Sequence, residues 1–249
     1  MIKNLLFWTV FPPLIPQALY VRWTAPRFAP AGGPTEGVVG NGEQCRLLAI
    51  GDSIIAGVGA SELSKALVGQ TAKAIANSKN CSVSWQSLGV SGYDSTKVLE
   101  RLVPKLTGDL FDYVIVSVGV NDVTGLTSTK KWRGNLTQLI KELQAHSPGT
   151  LIGLAGLPPL GGFPLLPQPL RATLGLRGRV LDEVAREVAD GYDNTLHVPL
   201  DIEPATGQFA ADGYHPSEES YAEFGQQMAE HLLVMEAAEK GSGPYIHSS

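Results

Sequence analysis

Apolar residues along the chain fall into two patterns, short runs and longer stretches in which they recur every three or four positions. The short apolar-rich runs occupy residues 46–50, 82–88, 113–118, 151–157 and 196–200. Runs of this length are typical of strands that are buried on both faces of a parallel sheet. The sequence therefore predicts five parallel strands.

The longer stretches predict amphipathic helices between and after these strands. The apolar faces comprise Val98, Leu99, Leu102 and Leu106, then Trp132, Leu136, Leu139, Ile140 and Leu143, a less regular stripe over 170–188, and a last one over 221–235. Because strands and helices alternate, the pattern predicts an α/β fold with helices on both faces of the sheet. Functional residues of such folds lie at the carboxyl ends of the strands.

The chain length and the distribution of apolar residues favour one main domain. A chain of 249 residues is long enough for a single α/β domain with a well-buried core. We expect this domain to cover residues 45–241. Residues 1–44 form an apolar N-terminal segment followed by a Pro/Gly-rich arm, and residues 242–249 form a flexible tail.

The apolar stretch at residues 5–21 raises the question of a membrane span. Pro12, Pro13 and Pro16 interrupt it, and seventeen helical residues rise only about 25 Å against a hydrocarbon core of about 30 Å. A plain spanning helix is therefore disfavoured.

A cleaved export signal is also less favoured than a retained segment. Ala29 and Ala31 offer small residues for cleavage, but Arg22 and Arg27 precede them and the basic start is weak. A cytoplasmic or membrane-associated location therefore fits better than export. Three positions of the retained segment stay open: it packs on the domain, mediates membrane-interface binding or self-association, or presents aromatic residues near the active site. Those aromatic residues are Phe7, Trp8 and Tyr20.

Composition excludes several function classes. The formal net charge of −5 comes without a basic cluster, so nucleic-acid binding is not indicated. The two cysteines, Cys45 and Cys81, each precede a predicted strand; two buried thiols are favoured over a disulfide, although their pairing stays open. No histidine or cysteine spacing matches a zinc site, and no phosphate-binding glycine loop is present. We predict neither a metal nor a cofactor.

Two short motifs carry candidate chemistry. Ser53 follows the first predicted strand, whereas Asp212 and His215 lie three residues apart on one turn, where Pro216 fits the first position of the last helix. A serine hydroxyl needs a base to remove its proton, and that base needs a partner that orients it. Each motif taken alone also fits an ordinary turn or helix cap.

An oxyanion formed at Ser53 requires hydrogen-bond donors. Gly89 can offer a backbone N–H without a side chain that crowds the substrate, and Asn121 can offer its amide. In isolation, a turn glycine and a loop cap are equally good explanations.

These blocks together resemble the SGNH (GDSL-type) hydrolase superfamily. The resemblance rests on Gly51-Asp-Ser53, Gly89, Gly119-Val-Asn121-Asp122 and Asp212-Gly-Tyr-His215 in this order, and it spans residues 45 to 238. It implies a three-layer α/β/α, flavodoxin-like sandwich around the five-stranded parallel sheet.

The resemblance also implies a role for each residue. Ser53 is the nucleophile, His215 the base and Asp212 its orienting partner, while the Ser53 and Gly89 N–H groups and the Asn121 side chain form the oxyanion hole. Asp52 and Asp122 are interpreted as structural. The Gly-x-Ser-x-Gly elbow of the α/β-hydrolases is absent, because the segment that starts at Gly89 has Tyr93 in place of the final glycine.

A proline-rich segment at residues 157–169 follows the fourth predicted strand. We expect apolar side chains here and after Asn121 to line an acyl or alcohol pocket. These side chains are Val123, Leu160, Phe163, Leu165 and Leu166. The alternative is a buried connection that packs on the following long helix.

The function predicted from the sequence is that of a serine carboxylic ester hydrolase acting on small, apolar, short- to medium-chain acyl or aryl esters through an acyl-enzyme. Thioesterase, lysophospholipase and acetylated-carbohydrate esterase activities would use the same site. The alternatives from other classes are an acyltransferase, a non-catalytic or carbohydrate-binding protein on the same scaffold, and a membrane-associated interaction protein. The acyl chain length, the natural alcohol and the oligomeric state stay open.

Overall fold

The computed structural model describes residues 2–24, 28–200 and 208–241. The strands are β1 (Glu36–Gly40), β2 (Gln44–Gly51), β3 (Ser82–Gly89), β4 (Tyr113–Ser117), β5 (Leu151–Ala155) and β6 (Thr195–Val198). The α-helices are α1 (Ile2–Val10), α2 (Ile15–Thr24), α3 (Leu67–Lys79), α4 (Ser95–Arg101), α5 (Val120–Thr124), α6 (Thr129–His146), α7 (Leu170–Ala189) and α8 (Glu218–Gly241).

The sheet has six strands in the order β1-β3-β2-β4-β5-β6. Strands β2 to β6 are parallel, whereas β1 pairs with β3 in the antiparallel direction. The prediction of an α/β fold with a parallel sheet is confirmed, but the number of five strands was wrong. Among the five parallel strands, the order is that of flavodoxin-like sheets.

Strand β1 escaped prediction because its sequence carries almost no strand signal. It lies in the Pro/Gly-rich arm, reads Glu-Gly-Val-Val-Gly and has one side open to solvent, with Val38 exposed. It is held by its backbone pairing with β3. Hydropathy does not register a strand that is stabilised by backbone hydrogen bonds at a sheet edge.

Several predicted strands extended too far at their carboxyl ends. Strand β5 ends at Ala155, not at residue 157, and β6 ends at Val198, not at residue 200. Leu157 and Leu200 are nevertheless buried. In both places the apolar run continues past the last paired residue, because the backbone just after the strand is also buried at these leucines. Hydropathy therefore overestimates the length of the strand.

Side chains on the two faces of the sheet form two separate cores, one under each helical layer. On one face, Leu48 and Ile50 of β2 pack in a cluster with α1, α4, α6 and α7. On the other face, Leu47 and Ala49 pack in a cluster with α3 and α8. The alternation along β2 is the period-two pattern of a strand that is buried on both sides. The result is a three-layer α/β/α sandwich.

The N-terminal segment is helical but interrupted. Helix α1 is followed by a short 3-10 turn at Pro12–Leu14, and α2 begins at Ile15. Pro12 and Pro13 therefore end the first helix, as the sequence predicted, whereas Pro16 is accommodated in the first turn of α2. Across the described residues, we find no helix with the length and apolarity needed to cross a bilayer.

Part of this segment packs on the domain. The side chains of Phe7 and Phe11 are buried in the core beside α7, and their rings stack at 5.0 Å between centroids. Trp8 and Tyr20 are exposed to solvent. The predicted tail at 242–249 lies outside the described residues, and the domain boundaries at 44 and 241 stay a prediction.

Cys45 and Cys81 are buried and are present as free thiols. Burial raises the pKa of Cys45 to about 11. A thiol with such a pKa is almost fully protonated at neutral pH and is therefore a poor nucleophile.

Candidate active site

The predicted chemical residues meet at the carboxyl edge of the parallel sheet. Ser53 follows β2, Gly89 ends β3, and Asn121 lies in α5 directly after β4. Strands β3 and β4 flank β2 on opposite sides, so the chain leaves β2 where the strand order reverses. Such switch points open a crevice at the sheet edge where open α/β sheets bind ligands.

Ser53, His215 and Asp212 form one hydrogen-bonded chain. The Nε2 atom of His215 lies 3.1 Å from Oγ of Ser53, and its Nδ1 atom lies 2.6 Å from Oδ2 of Asp212. Both imidazole nitrogens are thereby engaged, one by the hydroxyl and the other by the carboxylate. This arrangement fixes the ring so that Nε2 can accept the proton of Ser53.

The turn that carries His215 is held by the carboxylate of Asp212 itself. Oδ1 of Asp212 accepts hydrogen bonds from the backbone N–H groups of Tyr214 and His215, at 2.9 and 3.0 Å. The N–H of Ala210 donates to the His215 carbonyl at 2.8 Å. One side chain therefore shapes the turn with one oxygen and orients the imidazole with the other.

The last helix begins later than predicted. It starts at Glu218 and not at Pro216. The N–H of Ser220 donates to Oγ of Ser217 at 3.2 Å, so Ser217 caps the helix. Pro216 instead pairs with Phe209 in an isolated bridge. Pro216 suits the first position of a helix, but the helix starts after Ser217, which is the capping residue.

Electrostatics favour an ionised Asp212. Burial acts to raise the pKa of this carboxyl, but the hydrogen bonds from the His215 ring and from the two backbone N–H groups outweigh it, so the pKa lies below its ordinary value. The carboxylate therefore stays charged at neutral pH, and it can stabilise a proton on His215.

Asp52 and Asp122 are buried beside the site, as expected for structural residues. Oδ1 of Asp52 accepts from the Ile54 N–H at 3.1 Å, and burial raises the pKa of Asp52 to about 7. Asp122 accepts from the N–H and from Oγ of Ser95, at 2.9 and 2.7 Å. The first shapes the turn that carries Ser53, and the second ties α5 to the start of α4.

Backbone crowding explains why glycine occupies two positions at the sheet edge. A Cβ atom on Gly89 would lie 2.2 Å from the backbone nitrogen of Ala56, and one on Gly51 would lie 1.8 Å from the Ser117 carbonyl oxygen. No side chain fits at either position. Gly89 is therefore required by its packing against the segment after Ser53, a reason that the sequence did not reveal.

One hydrogen bond orients the Asn121 side chain, and this bond uses only one of its two amide hydrogens. One amide N–H of its side chain donates to the carbonyl of Tyr93 at 3.0 Å. An amide group carries two hydrogens, and this contact uses one of them. The Tyr93 carbonyl thus fixes the orientation of an amide whose second hydrogen can serve an oxyanion.

Arg177, which the sequence pattern did not single out, supports α5, the helix that contains Asn121. This fully buried arginine of α7 donates from Nε to the Val123 carbonyl at 3.3 Å and from Nη2 to the Thr127 carbonyl at 2.5 Å. Its guanidinium also lies 4.7 Å from the ring centre of Phe7. Burial lowers its pKa, and the charge of Asp122 opposes this. A charged residue on the apolar face of a predicted helix was the available signal.

Most residues of the predicted pocket do not face open space. Val123, Leu160, Phe163 and Leu166 are almost completely buried in the core, and only Leu165 is partly exposed. The segment at 157–169 packs on α7, as the alternative interpretation proposed. These four side chains therefore support the site from within.

Phe163 links this segment to the His215 turn. Its ring meets the rings of Tyr214 and Phe209 edge-on, at 5.1 and 5.3 Å between centroids. The N–H of Leu165 lies 3.4 Å from the Gly213 carbonyl. Edge-to-face aromatic contacts add stability beyond burial, so Phe163 contributes to holding the turn in place.

A second pair of aspartate and histidine serves structure. Nε2 of His197 in β6 lies 2.8 Å from Oδ1 of Asp182 in α7, and the same oxygen accepts from the Leu157 N–H at 2.8 Å. The pair joins β6, α7 and the start of the segment at 157–169. This agrees with a structural role for His197.

Two surface cavities lie away from Ser53. One of about 460 Å³ borders Cys45, Lys79 and Glu236, and one of about 550 Å³ borders Val38 and Trp85. Neither contains a residue of the hydrogen-bonded chain. The chemistry therefore concentrates at the carboxyl edge of the sheet, not in these cavities.

Comparison with known proteins identifies a family that this chain matches. Residues 49–223 match the model of the GDSL-like lipase/acylhydrolase family. A GDSL-like esterase of Mycobacterium tuberculosis is 26% identical over 235 residues, which cover 84% of this chain and 72% of the relative.

Solved structures share the fold. The crystal structure of a lipase/acylhydrolase from Enterococcus faecalis superposes with a TM-score of 0.58 at 24% identity, over 76% of this chain and 95% of the other. A carbohydrate acetylesterase from Sinorhizobium meliloti also gives a TM-score of 0.58, at 16% identity, over 77% and 99% of the two chains.

Proposed function

The chain belongs to the GDSL-like lipase/acylhydrolase family and is a serine esterase, and we propose that it cleaves small apolar esters with a triad of Ser53, His215 and Asp212. The observation that carries the proposal is the continuous hydrogen-bonded chain from the Ser53 hydroxyl through the imidazole to the Asp212 carboxylate. This chain of contacts supports the proposal, because a serine nucleophile needs a base beside its hydroxyl and a partner that orients the base.

In the acylation step, Oγ of Ser53 attacks the ester carbonyl carbon while its proton passes to Nε2 of His215. The tetrahedral intermediate collapses, the bond to the alcohol oxygen breaks, and His215 returns the proton to the leaving alcohol. Water then attacks the acyl-enzyme with His215 again as the base, which releases the acid and restores Ser53. Asp212 stays ionised and stabilises the imidazolium in both steps.

The negative oxygen of the intermediate needs donors that are already in place. We assign this role to the Ser53 and Gly89 N–H groups and to the second hydrogen of the Asn121 amide. Preorganised donors of this kind cost no reorganisation when charge develops, and each contributes about 100- to 1000-fold in rate. The contact of Asn121 with the Tyr93 carbonyl supports this assignment, because it holds the amide in one orientation.

The triad is tested by serine replacement. Ser53→Ala should abolish hydrolysis of p-nitrophenyl acetate and butyrate and should also abolish labelling by a fluorophosphonate probe. Ser91→Ala is the matched control, because Ser91 is an exposed serine on the loop after Gly89. Its variant should retain both properties. Activity of the Ser53→Ala enzyme, or loss in the control alone, would refute the assignment of the nucleophile.

The substrate class is the finer part of the proposal. Partly exposed apolar side chains adjoin the reacting groups along the chain: Val90 after Gly89, Val120 before Asn121 and Tyr214 before His215. Leu165 contacts the same turn through its backbone. Apolar walls with few polar groups favour small acyl or aryl esters over sugars.

An ester panel tests this preference. We expect short and medium acyl chains and aryl esters to be cleaved faster than a thioester, a lysophospholipid or an acetylated sugar. Leu165→Ala should shift the chain-length optimum, whereas Phe163→Ala should mainly lower thermal stability. If the acetylated sugar is cleaved fastest, the chain is instead a carbohydrate acetylesterase, the activity for which the Sinorhizobium meliloti structure is named. Product diverted to an added alcohol would indicate acyl transfer.

A further inference from the structure

The N-terminal helical segment, defined as α1, the turn at Pro12–Leu14 and α2, is fixed to the domain along one side. Phe7 is fully buried against Phe11 and the Arg177 guanidinium. Gln17 donates from Nε2 to the Gln168 carbonyl at 3.0 Å and accepts from the Leu170 N–H at 3.2 Å. The opposite side of the segment therefore points away from the domain in a defined orientation.

That outer side is strongly apolar. Seven of the large apolar residues that the described chain exposes belong to this segment, Leu6, Trp8, Val10, Ile15, Leu19, Tyr20 and Trp23, against Phe28, Val38, Leu110 and Val234 elsewhere. In α2 the spacing of Ile15, Leu19 and Trp23 places them on one face of the helix. Leu19 is 58% exposed and Trp23 is 86% exposed. Exposed apolar patches of this kind mark surfaces that bind a partner or a membrane.

The charge of the segment selects among the possible partners. Three of the 19 basic residues, Lys3, Arg22 and Arg27, and none of the 24 acidic residues lie within the first 35 positions. The segment is thus positive in a chain whose formal net charge is −5. In a symmetric dimer built on this face, the exposed Arg22 side chains of the two copies would come together in one interface. An anionic surface complements them.

We propose that the outer face of this segment binds the surface of an anionic lipid bilayer, with both helices lying in the interface plane. Trp and Tyr side chains favour the level of the headgroups, and basic residues beside an apolar face add attraction to anionic lipids. Tyr20 and Trp23 supply the aromatic groups, and Arg22 lies next to Trp23 with its side chain exposed.

Vesicle flotation with the full-length chain tests the proposal. We expect wild type to float with vesicles of phosphatidylcholine and phosphatidylglycerol about tenfold more than with phosphatidylcholine alone, and less so at high salt. The double variant Leu19→Ser/Trp23→Ser should bind the anionic vesicles about tenfold less than wild type. Arg22→Gln should weaken the preference for the anionic vesicles. The double variant Val38→Ser/Val234→Ser is the control, because both residues are exposed valines outside the segment.

The contrary outcomes are distinct. Failure of wild type to float with the anionic vesicles, or undiminished binding of the Leu19→Ser/Trp23→Ser variant, overturns the proposal. A wild-type dimer in light scattering that this variant converts to a monomer, without vesicle binding, assigns the face to self-association and also overturns it. Ester hydrolysis by the variant should equal that of wild type, since neither residue contacts the site. This shows that the variant is folded.

Discussion

At the scale of single residues, the site depends on side chains that each satisfy two requirements. Asp212 shapes a turn with one oxygen and orients the imidazole with the other. Asn121 anchors itself with one amide hydrogen, and its proposed role in the oxyanion hole uses the second. A side chain whose orientation is fixed by a second contact needs little reorganisation during the reaction.

Replacement of Asn121 tests this at a single position. Asn121→Ala should lower kcat about 100- to 1000-fold with a much smaller effect on KM, because the donor acts on charge that develops only in the transition state. Steady-state kinetics with p-nitrophenyl butyrate measure the effect. Thr124→Ala, on the exposed side of the same short helix, should behave like wild type. An unchanged kcat for Asn121→Ala would remove the amide from the oxyanion hole.

The sequence predicted where Ser53, Gly89, Asn121, Asp212 and His215 lie, because each follows a strand or precedes a helix. It did not predict how they are held. The Tyr93 carbonyl and the backbone beside Gly89 act through atoms that every residue possesses. Such contacts leave no trace in residue type and appear only when the fold brings the segments together.

At the scale of elements, the short helix α5 is held from three sides. The Ser95 hydroxyl at the start of α4 binds Asp122, the Tyr93 carbonyl binds Asn121, and Arg177 of α7 binds the carbonyls of Val123 and Thr127. A helix of five residues is too short to be stable alone. The geometry of α5 therefore depends on these neighbours, and Arg177 makes two of the contacts.

Arg177→Met should loosen this element. The change keeps an apolar stem but removes the donor to the half-buried Thr127 carbonyl and one of the donors to the buried Val123 carbonyl, so the free energy of unfolding should fall by about 1–3 kcal/mol. Activity should fall as well, because α5, which carries Asn121, loses part of its support. Urea unfolding and kcat measure the two effects. Arg179→Met, an exposed position on the same helix, provides the control, and equal stability of both variants would contradict the role of Arg177.

The apolar faces of α6 and α7 were predicted well, whereas the face over residues 98–106 was predicted too long, because α4 ends at Arg101 and a 3-10 turn follows. The face of α6 from Trp132 to Leu143 is buried as the spacing indicated. The segment at 157–169 has no period, so its sequence did not distinguish a substrate pocket from a buried connection. The structure favours the connection because Leu160, Phe163 and Leu166 lie in the core.

At the scale of the whole molecule, a polar cluster joins α3, β4 and α8 at the amino edge of the sheet. The Glu236 carboxylate of α8 accepts from Nζ of Lys79 in α3, at 2.8 and 3.0 Å, and from the Tyr113 hydroxyl of β4 at 2.8 Å. Burial acts to raise the pKa of Glu236, but the hydrogen bonds from Lys240, Lys79 and Tyr113 lower it to about 2. The carboxylate is thus stabilised in the folded state.

The pH dependence of stability follows from this pKa. The folded-state pKa of Glu236 lies below its ordinary value of 4.5, so its contribution is complete above about pH 5 and is lost as pH falls towards 2. Glu236→Gln should cost about 1–3 kcal/mol at pH 7, and the difference from wild type should shrink at pH 4 and pH 3. Urea unfolding at each pH measures it.

Glu223→Gln is the control for this series, because Glu223 is exposed on the same helix. Its stability should match that of wild type at every pH. A Glu236→Gln deficit that stays constant from pH 7 to pH 3 would show that the ionised cluster is not its source.

The distance along the chain between the reacting groups has a consequence for synthesis. Ser53 and His215 are 162 positions apart, and the histidine belongs to a turn directly ahead of the last helix. Since chains fold from the N-terminal end as they leave the ribosome, Ser53 lacks its proposed base until the segment that carries His215 has been made. Under the proposed mechanism, ester hydrolysis therefore reports synthesis at least as far as this turn. A break at the exposed glycine turn around Gly108 would give two silent fragments whose reassembly restores turnover.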